Sequence, residues 1–434
     1  MTRRYALIFT IIYWFIYSPN GFAQQLSTNP SAPTLTLSQC LSQALTKHPA
    51  LAAVRSRIEG AEQFRQFAAA RLNPSITFQS ENWRFTGEPP FKASQDLDLF
   101  IYGTQTLERG GKAARRREVA AQAEEVLQAE LETLKRRLTL EILRSYYKAV
   151  VAQSLLEILS ENRQNLDQLV KYNDVRVREG YTAEGELIRA RLEMQTATTH
   201  EATVALELER AKLELLKTIG EAQFNTNFRV TDEADLTPTA RLANAPVAAP
   251  LSELLQQALA KRPELLTLRA RLEHAKAALR LAEANAKSDW SASFGYKRTT
   301  GFNTFIAGIS IPLHLFNKNQ GEIGRAAAEI AAIEHELSAE ENFIRAEVQT
   351  AYQASERIRQ NLFALQSDFL LRADDTRDVA LAAYREGATD LYKLLEAQRA
   401  RNDARLLYHR LLYDFRLSLA ELELASGQEV TTTK

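Results

Sequence analysis

The chain carries one cysteine, Cys40, in 434 residues. A lone thiol forms no internal disulfide and no cysteine-built metal site. Leu37, Leu41 and Leu45 surround it at helical spacing, so it reads as a small buried apolar side chain. Glycine and proline are scarce, 16 and 12 in number. Net charge is missing too: 54 basic residues meet 54 acidic ones, and no stretch concentrates the basic ones. Nucleic-acid binding draws on a basic face, so no nucleic-acid partner is expected. Beyond the N-terminus, no segment has the roughly eighteen uninterrupted apolar residues of a membrane-crossing helix. The six histidines, His48, His200, His274, His314, His335 and His409, are scattered, and none builds an HExxH pair or a close ligand cluster. The string "RGGK" at Arg109–Lys112 lacks the spacing and the Ser/Thr of a phosphate loop. No nucleophile–base constellation is present. These absences lead to the expectation of no metal, no cofactor and no enzyme activity.

What is abundant is Ala, Leu, Glu, Arg and Gln, which favours helix over strand. The N-terminus differs from the rest. Arg3 and Arg4 precede the apolar run Tyr5–Tyr17, and small residues Gly21 and Ala23 follow. This is the layout of a secretory signal, residues 1–23, cut after Ala23, with an uncleaved N-terminal anchor as the alternative.

The remaining chain is written twice. "LSQCLSQALTKHPALAAVRSRIEGA" from Leu37 matches "LSELLQQALAKRPELLTLRARLEHA" from Leu251, with 13 of these 25 positions identical. Such self-similarity marks an internal duplication. After an N-terminal extension at 24–36, the first repeat spans 37–236 and the second 251–426. The Pro/Ala-rich linker 237–250 joins them, and a tail at 427–434 follows.

Each repeat predicts the same order of elements. A helical segment of roughly 35 residues comes first. A β-hairpin follows, at 74–108 and at 289–316, where apolar and polar residues alternate around turn-forming strings. Then comes a long helix, 112–179 or 322–386. Ala113 to Glu179 is 67 residues without Gly or Pro, and Arg325 to Glu386 is 62. At 1.5 Å per residue each rod would be on the order of 100 Å long. Leu127, Leu131, Leu134 and Leu138, like Ile358, Leu362, Leu365 and Phe369, repeat at heptad spacing, so the rods pack as coiled coils. The rods end in near copies, "REGYT" at Arg178–Thr182 and "REGAT" at Arg385–Thr389. Gly180 and Gly387 supply the left-handed backbone that stops a helix, and Thr182 and Thr389 can cap a return helix. The return helices are expected at 182–219 and 389–426.

Rods of this length cannot bury a core alone, and four strands leave two open edges. Within a bilayer such edges must close. Three copies would supply twelve strands and a ring of long helices, and ten to twelve residues per strand suits a tilted membrane-spanning strand.

The chain resembles the outer-membrane efflux channels of the TolC family, most of all its CzcC-like, heavy-metal branch. The match is carried by "LSQCLSQALTKHPALAAVRSRIEGAE", "LERGGKAARRREVA" (Leu107–Ala120), "ISIPLHLFNKNQGEIGRAAAEI" (Ile309–Ile330) and "YREGATDLYKLLEAQRA" (Tyr384–Ala400), in order and twice over. The resemblance implies a mainly α fold with a small β part: TolC-like helical hairpins in an α-barrel, and four strands per chain in a 12-stranded trimeric barrel. It further implies a homotrimer in the cell outer membrane, extending into the periplasm of a Gram-negative bacterium. Such a trimer would be a passive exit duct for small solutes such as metal cations or drugs. Its implied partners are outer-membrane lipid, a periplasmic adaptor and an inner-membrane pump of the resistance-nodulation-division (RND) class. A duct for type I protein secretion and a soluble periplasmic coiled-coil or adaptor protein are the alternatives.

The repeats align at the tips with an offset of 207, where Glu186 matches Lys393 and Arg189 matches Glu396 with charges exchanged. Members of the family close at the periplasmic end through polar contacts between hairpins. Glu184, Glu186, Arg189, Asp390, Lys393 and Glu396 are accordingly the candidate gate, against the alternative of a solvated surface of mixed charge. Paired aspartates seen at some family apertures are missing here. The tips, Arg178, Gly180, Tyr181, Thr182, Arg385, Gly387, Ala388 and Thr389, are the candidate adaptor contacts. Trp83, Phe85, Phe91, Phe100, Tyr102, Trp290, Phe294, Tyr296, Phe302 and Phe305 are candidates for an aromatic belt at the membrane surface.

Overall fold

The computed structural model describes residues 33–231, 249–365 and 369–428. The signal at 1–23, all but the end of the 24–36 extension, most of the 237–250 linker and residues 429–434 of the tail lie outside the described residues.

The expected first helical segment is divided in both repeats. Helix α1 (Leu37–Lys47) is followed by α2 (Pro49–Phe67). Proline disfavours helical backbone in the residue before it and is at home in a first helical turn. His48 is therefore extended (φ −60°, ψ 127°), and Pro49 opens the next helix. Later in the chain, α6 (Leu251–Lys261) and α7 (Pro263–Asn285) break the same way at Arg262. Helix α1 starts in a capping box, in which the Thr36 and Gln39 side chains bond each other's backbone N–H.

Strand β1 (Thr34–Leu35) pairs in parallel with β4 (Arg229–Val230). The main sheet has four antiparallel strands in the order β2 (Ser75–Glu81), β3 (Asp98–Leu107), β5 (Trp290–Thr299) and β6 (Phe302–Ser310). A short helix, α3 (Ala93–Asp96), lies in the connection from β2 to β3. The two repeats meet in the middle of the sheet, along β3 and β5. There Gly295 is required, because a Cβ at that position would overlap the Ile101 carbonyl and Tyr102 Cα. The strand of the second hairpin ends at Ser310, so Ile311–Phe316 lies outside the ladder.

Helix α4 (Lys112–Arg178) is 67 residues long, about 100 Å, and α5 (Glu184–Ile219) returns along it. The second rod differs from expectation. It is described as α8 (Gln320–Ala364) and α9 (Phe369–Arg385), on either side of residues 366–368. Helix α8 stops at Ala364 with Leu365 as its C-cap, and no Gly or Pro announces the stop; residues 366–368 lie outside the described residues. Helix α10 (Leu391–Ala425) is the return helix.

Helix α4 touches α2, α5, α7 and α10 along its length, and α8 lies against α7 and α10. Near the turns α9 reaches α4 and α5 through Tyr384, and α5 pairs with α10. Next to the sheet the outer members are thus α2 on one side and α8 on the other. Strands β2 and β6 are the matching outer members of the sheet.

Core side chains occur in separate clusters along the rods. One gathers Cys40, Ala44, Ile142, Tyr146, Ala149, Leu215, Phe228 and Val230 where α1 crosses α4 and α5. Tyr146 Oη there donates to the Leu35 and Thr231 carbonyls, tying in the small β1–β4 pair. The second repeat gathers Leu254, Ala258, Leu265, Ile344, Val348 and Leu422 in a matching cluster, with an ionic knot beside it. Arg262, 1% exposed, bonds Glu264, Glu347 and the Ala425 carbonyl, while Arg136 of α4 bonds Glu264, Glu347 and the Leu424 carbonyl.

Candidate functional site

The sheet has two chemically different faces. Residues opposite each other across a ladder share a face, and neighbours along a strand alternate. The register joins Phe78, Ile101, Tyr296 and Phe305 in one row, and Ile76, Gly103, Phe294 and Ala307 in the next. Ala292 and Ile309 continue this face, and Phe294 stacks on Phe305. Most of these rings and branches are exposed; Phe305 is 80% so. The other face carries Thr77, Gln79, Thr104, Thr106, Ser291, Ser293, Gly295, Lys297 and Thr304. An apolar outside and a polar inside are what a barrel in lipid requires; here Gln105 interrupts the apolar face, and Phe100, Tyr102 and Ile306 the polar one. The candidate belt is divided by this register. Phe294, Tyr296 and Phe305 lie on the apolar face, but Phe100 and Tyr102 share the polar one. The Lys297 ammonium covers the Phe100 ring at 5.2 Å. Phe302 sits at the hairpin end, and Trp83 and Phe91 contact each other in the β2–β3 connection.

The rods end in identical backbone motifs. Gly180 (φ 77°) and Gly387 (φ 74°) are left-handed. Tyr181 N–H bonds the Arg176 carbonyl and Gly180 N–H that of Val177; Ala388 and Gly387 bond Ala383 and Tyr384 in the same way. These are paired Schellman stops, which glycine permits at no steric cost. The expected threonine caps are not formed. Ala183 precedes α5 with no side-chain cap, and Asp390 caps α10 by accepting from Lys393 N–H at 3.0 Å. Thr182 and Thr389 each lie one residue before the cap position, so the return helices begin at Glu184 and Leu391.

The six candidate gate residues are not brought together within one chain. Glu184 and Glu396 are exposed and make no ion pair among the described residues. Arg189 lies 5.8 Å from the Tyr392 ring, and Asp390 is used as the cap. Lys393 is exposed, and Glu186 accepts from Tyr384 Oη at 3.1 Å. Of the candidate tip contacts, Arg178, Gly180, Tyr181, Arg385, Gly387 and Ala388 are exposed. Arg178 forms an ion pair with Asp174, which also holds Arg191.

The contact that locks the two hairpins together involves residues the sequence reading passed over. Tyr384, 2% exposed, donates to Asn173 Oδ1 at 2.5 Å as well as to Glu186. Its hydroxyl is pushed up to about 12 by burial and by the Glu186 charge, so it remains a donor. Arg176 sits against the Tyr172 and Tyr384 rings at 5.5 and 5.6 Å. Leu166, Ala190, Leu391, Leu394 and Leu395 form the apolar bed beneath. Farther along, Arg399 pairs with Glu193, Gln398 bonds Asn162, and Arg401 bonds Glu161 and Asp374. One signal for Tyr384 was available: at the 207-residue offset it stands where the first repeat has Val177. Both residues suit an apolar seam, which hid the hydroxyl.

Among the described residues, no helix is long and apolar enough to cross a membrane, and no cluster of three or more His, Cys, Asp or Glu could hold a metal ion. Similarity to known proteins is extensive. The sequence profile of the family described as "outer membrane efflux protein" matches residues 40–221 and 254–428. The cobalt-zinc-cadmium resistance protein CzcC of Cupriavidus metallidurans is 24% identical over 404 residues, covering 90% of this chain and 92% of that one. Solved structures with the same fold include the outer-membrane channel OprN (TM-score 0.71, 19% identity, 91% and 90% of the two chains). They also include CusC (0.71, 18%, 91% and 92%) and the outer membrane protein VceC of Vibrio cholerae (0.70, 17%, 91% and 96%). With both of its repeats matched, the chain belongs to the outer membrane efflux protein family.

Proposed function

We propose that three copies of this chain close into a hollow cylinder that serves as the passive exit duct of a tripartite efflux system. The single observation that carries this reading is the agreement between sheet and helices. The open strand edges β2 and β6 are joined by short connections to the outer helices α2 and α8 respectively. Joining β6 and α8 of one copy to β2 and α2 of the next satisfies both at once. Head-to-tail contacts of this kind close into a ring when the rotation allows. The ring puts the apolar sheet face toward outer-membrane lipid and the polar face toward the lumen.

The lumen face offers hydroxyls, amides and Lys297 rather than a concentrated acidic set, so cargo choice falls to the partners. An inner-membrane RND pump would supply energy, and a periplasmic adaptor would meet the exposed turns around Gly180 and Gly387. The likeness to a cobalt-zinc-cadmium resistance protein supports divalent metal cations as cargo. Deleting the gene should lower tolerance to cobalt, zinc or cadmium salts; a deletion strain sensitive only to dyes and antibiotics would redirect the cargo assignment.

Glu184, Glu186, Arg189, Asp390, Lys393 and Glu396 would form the closure between neighbouring copies. The lack of ion pairs among them inside one chain supports this use, since Glu184, Arg189, Lys393 and Glu396 all remain on the surface. Exposed pairs contribute only about 0–1 kcal/mol each, so a ring of them can hold shut and still be opened by an adaptor. Exchanging charge in a Lys393→Glu, Glu396→Lys variant should raise single-channel conductance in a planar bilayer. Conductance equal to that of the parent would remove these residues from the gate.

A further inference from the structure

We infer that Leu313, Leu315 and Phe316, on the connection from β6 to α8, form a foot that seats in an anionic phospholipid surface at the helical end of the barrel. The inference rests on the membrane reading above.

The segment Ile311–Phe316 has no partner strand among the described residues, because the β5–β6 ladder ends at the Ser291–Ser310 pair. Ile309 lies on the apolar face, and Ile311, Leu313 and Leu315 after it are all exposed. Leu313 is 75% exposed, Leu315 69% and Phe316 93%. This exposure does not come from a loose backbone. Ser288 Oγ donates to the Pro312 carbonyl at 2.6 Å, and His314 Nδ1 bonds the Ala286 carbonyl at 2.7 Å. Leu315 N–H bonds the Leu313 carbonyl at 2.9 Å, and Asn319 Nδ2 donates to the Ala282 carbonyl at 2.8 Å. The back of the segment is fastened to the end of α7 while its apolar side chains point away.

The first repeat does not share the feature. Gly111 and Asn319 are the left-handed residues that precede α4 and α8, so Glu108 is the counterpart of Phe316. Glu108 is only part-exposed and is held by Arg116, which also bonds the Ala68 and Ala70 carbonyls. One connection is sealed by an ion pair, and the other presents an aromatic ring to its surroundings.

The charge at this level selects the occupant. Arg109, Lys287 and Lys318 are exposed just below the apolar residues. Arg109 lies 4.4 Å over the Trp290 ring, and Lys287 packs beside Gly110. Three nearby acids are engaged, Asp289 with Lys112, Glu108 with Arg116, and Glu322 with Arg325, while Glu283, one turn before Lys287, is exposed. Apolar side chains bordered by exposed cations match the boundary between acyl chains and anionic headgroups.

Nitroxide labels at single introduced cysteines test this in the full protein. The native Cys40 is buried with its thiol pushed up to about 12, so it will not compete for label. Phe316→Cys, Leu313→Cys, Phe305→Cys and Tyr181→Cys would be compared in nanodiscs of phosphatidylethanolamine and phosphatidylglycerol. Labels at 305, 313 and 316 should collide with oxygen more than with a water-soluble nickel chelate, with 316 nearer the surface than 305. The label at 181 should favour the chelate. Labels at 313 and 316 that favour the chelate, or are closed to both, while 305 favours oxygen, would overturn the foot and leave the membrane reading intact. A chelate-favouring label at 305 would overturn both. In Lys287→Gln, Lys318→Gln protein, phosphatidylglycerol retained in native mass spectra should fall by about five-fold per charge removed. Unchanged retention would overturn the headgroup contact.

Discussion

Two polar residues in apolar surroundings carry much of the local specificity. Replacing Tyr384 by Phe keeps the ring on its leucine bed but removes the donor to Asn173 and Glu186. A buried acceptor left without a partner costs about 1–3 kcal/mol. The expected outcome is faster amide exchange around residues 166–176 and 384–395, with the remainder of the rods unchanged; equal exchange throughout would show the hydroxyl to be idle. Glu264 behaves differently because it is charged. Burial raises its carboxyl, but the hydrogen bond from Arg262 and the charges of Arg136 and Arg262 outweigh that and hold it below the ordinary carboxylate range. A folded-state value below the unfolded one contributes stability above the unfolded value and loses it as pH falls through the folded one. Glu264→Gln should therefore lower the melting temperature at neutral pH. The gap from the parent should close as pH drops below about 4.3, and a gap independent of pH would contradict this account. Neither residue was evident from sequence. Tyr384 passes for an apolar seam residue, and of the two partners of Glu264 only Arg262 is close in sequence, while Arg136 is distant.

At the scale of elements, local chemistry was legible wherever one residue type has a single use. The two REG strings mark Schellman stops because only glycine takes the left-handed backbone freely. The same rule was available at Pro49 and Pro263, where proline divides a helical segment that periodicity alone reads as continuous. The end of α8 at Ala364 carries no such mark. Cap positions were misread by one residue, since Thr and Asp cap equally well and the backbone chose Asp390. Pairing across repeats was hidden in the sequence, because β3 and β5 are separated by the whole first helical hairpin. Their close approach at Gly295 gives a prediction: Gly295→Val should disrupt the β3–β5 ladder, with loss of heat-stable oligomer on gel electrophoresis. Gly87→Ala should strain only its own turn, where φ is 118°, and leave the oligomer in place, as open space surrounds Gly87 in the exposed β2–β3 connection. Equal oligomer stability for the Gly295 variant and the parent would mean that the two repeats meet elsewhere.

For the whole molecule, fold class was readable because duplication, rod length and strand count together leave few architectures. Which flank meets which was not, because it depends on the order of helices about α4 and of strands about β3. That order leaves β2 with α2 on one side and β6 with α8 on the other, and the central claim is that these two sides belong to one contact between copies. Mass measurement of the full-length protein, extracted from membranes into mild detergent, tests it most directly. The account predicts a single species of three chains, each 48.9 kDa less any processed N-terminus, that loses its fold when the detergent is withdrawn. A stable, water-soluble single chain with unchanged helix content would contradict it.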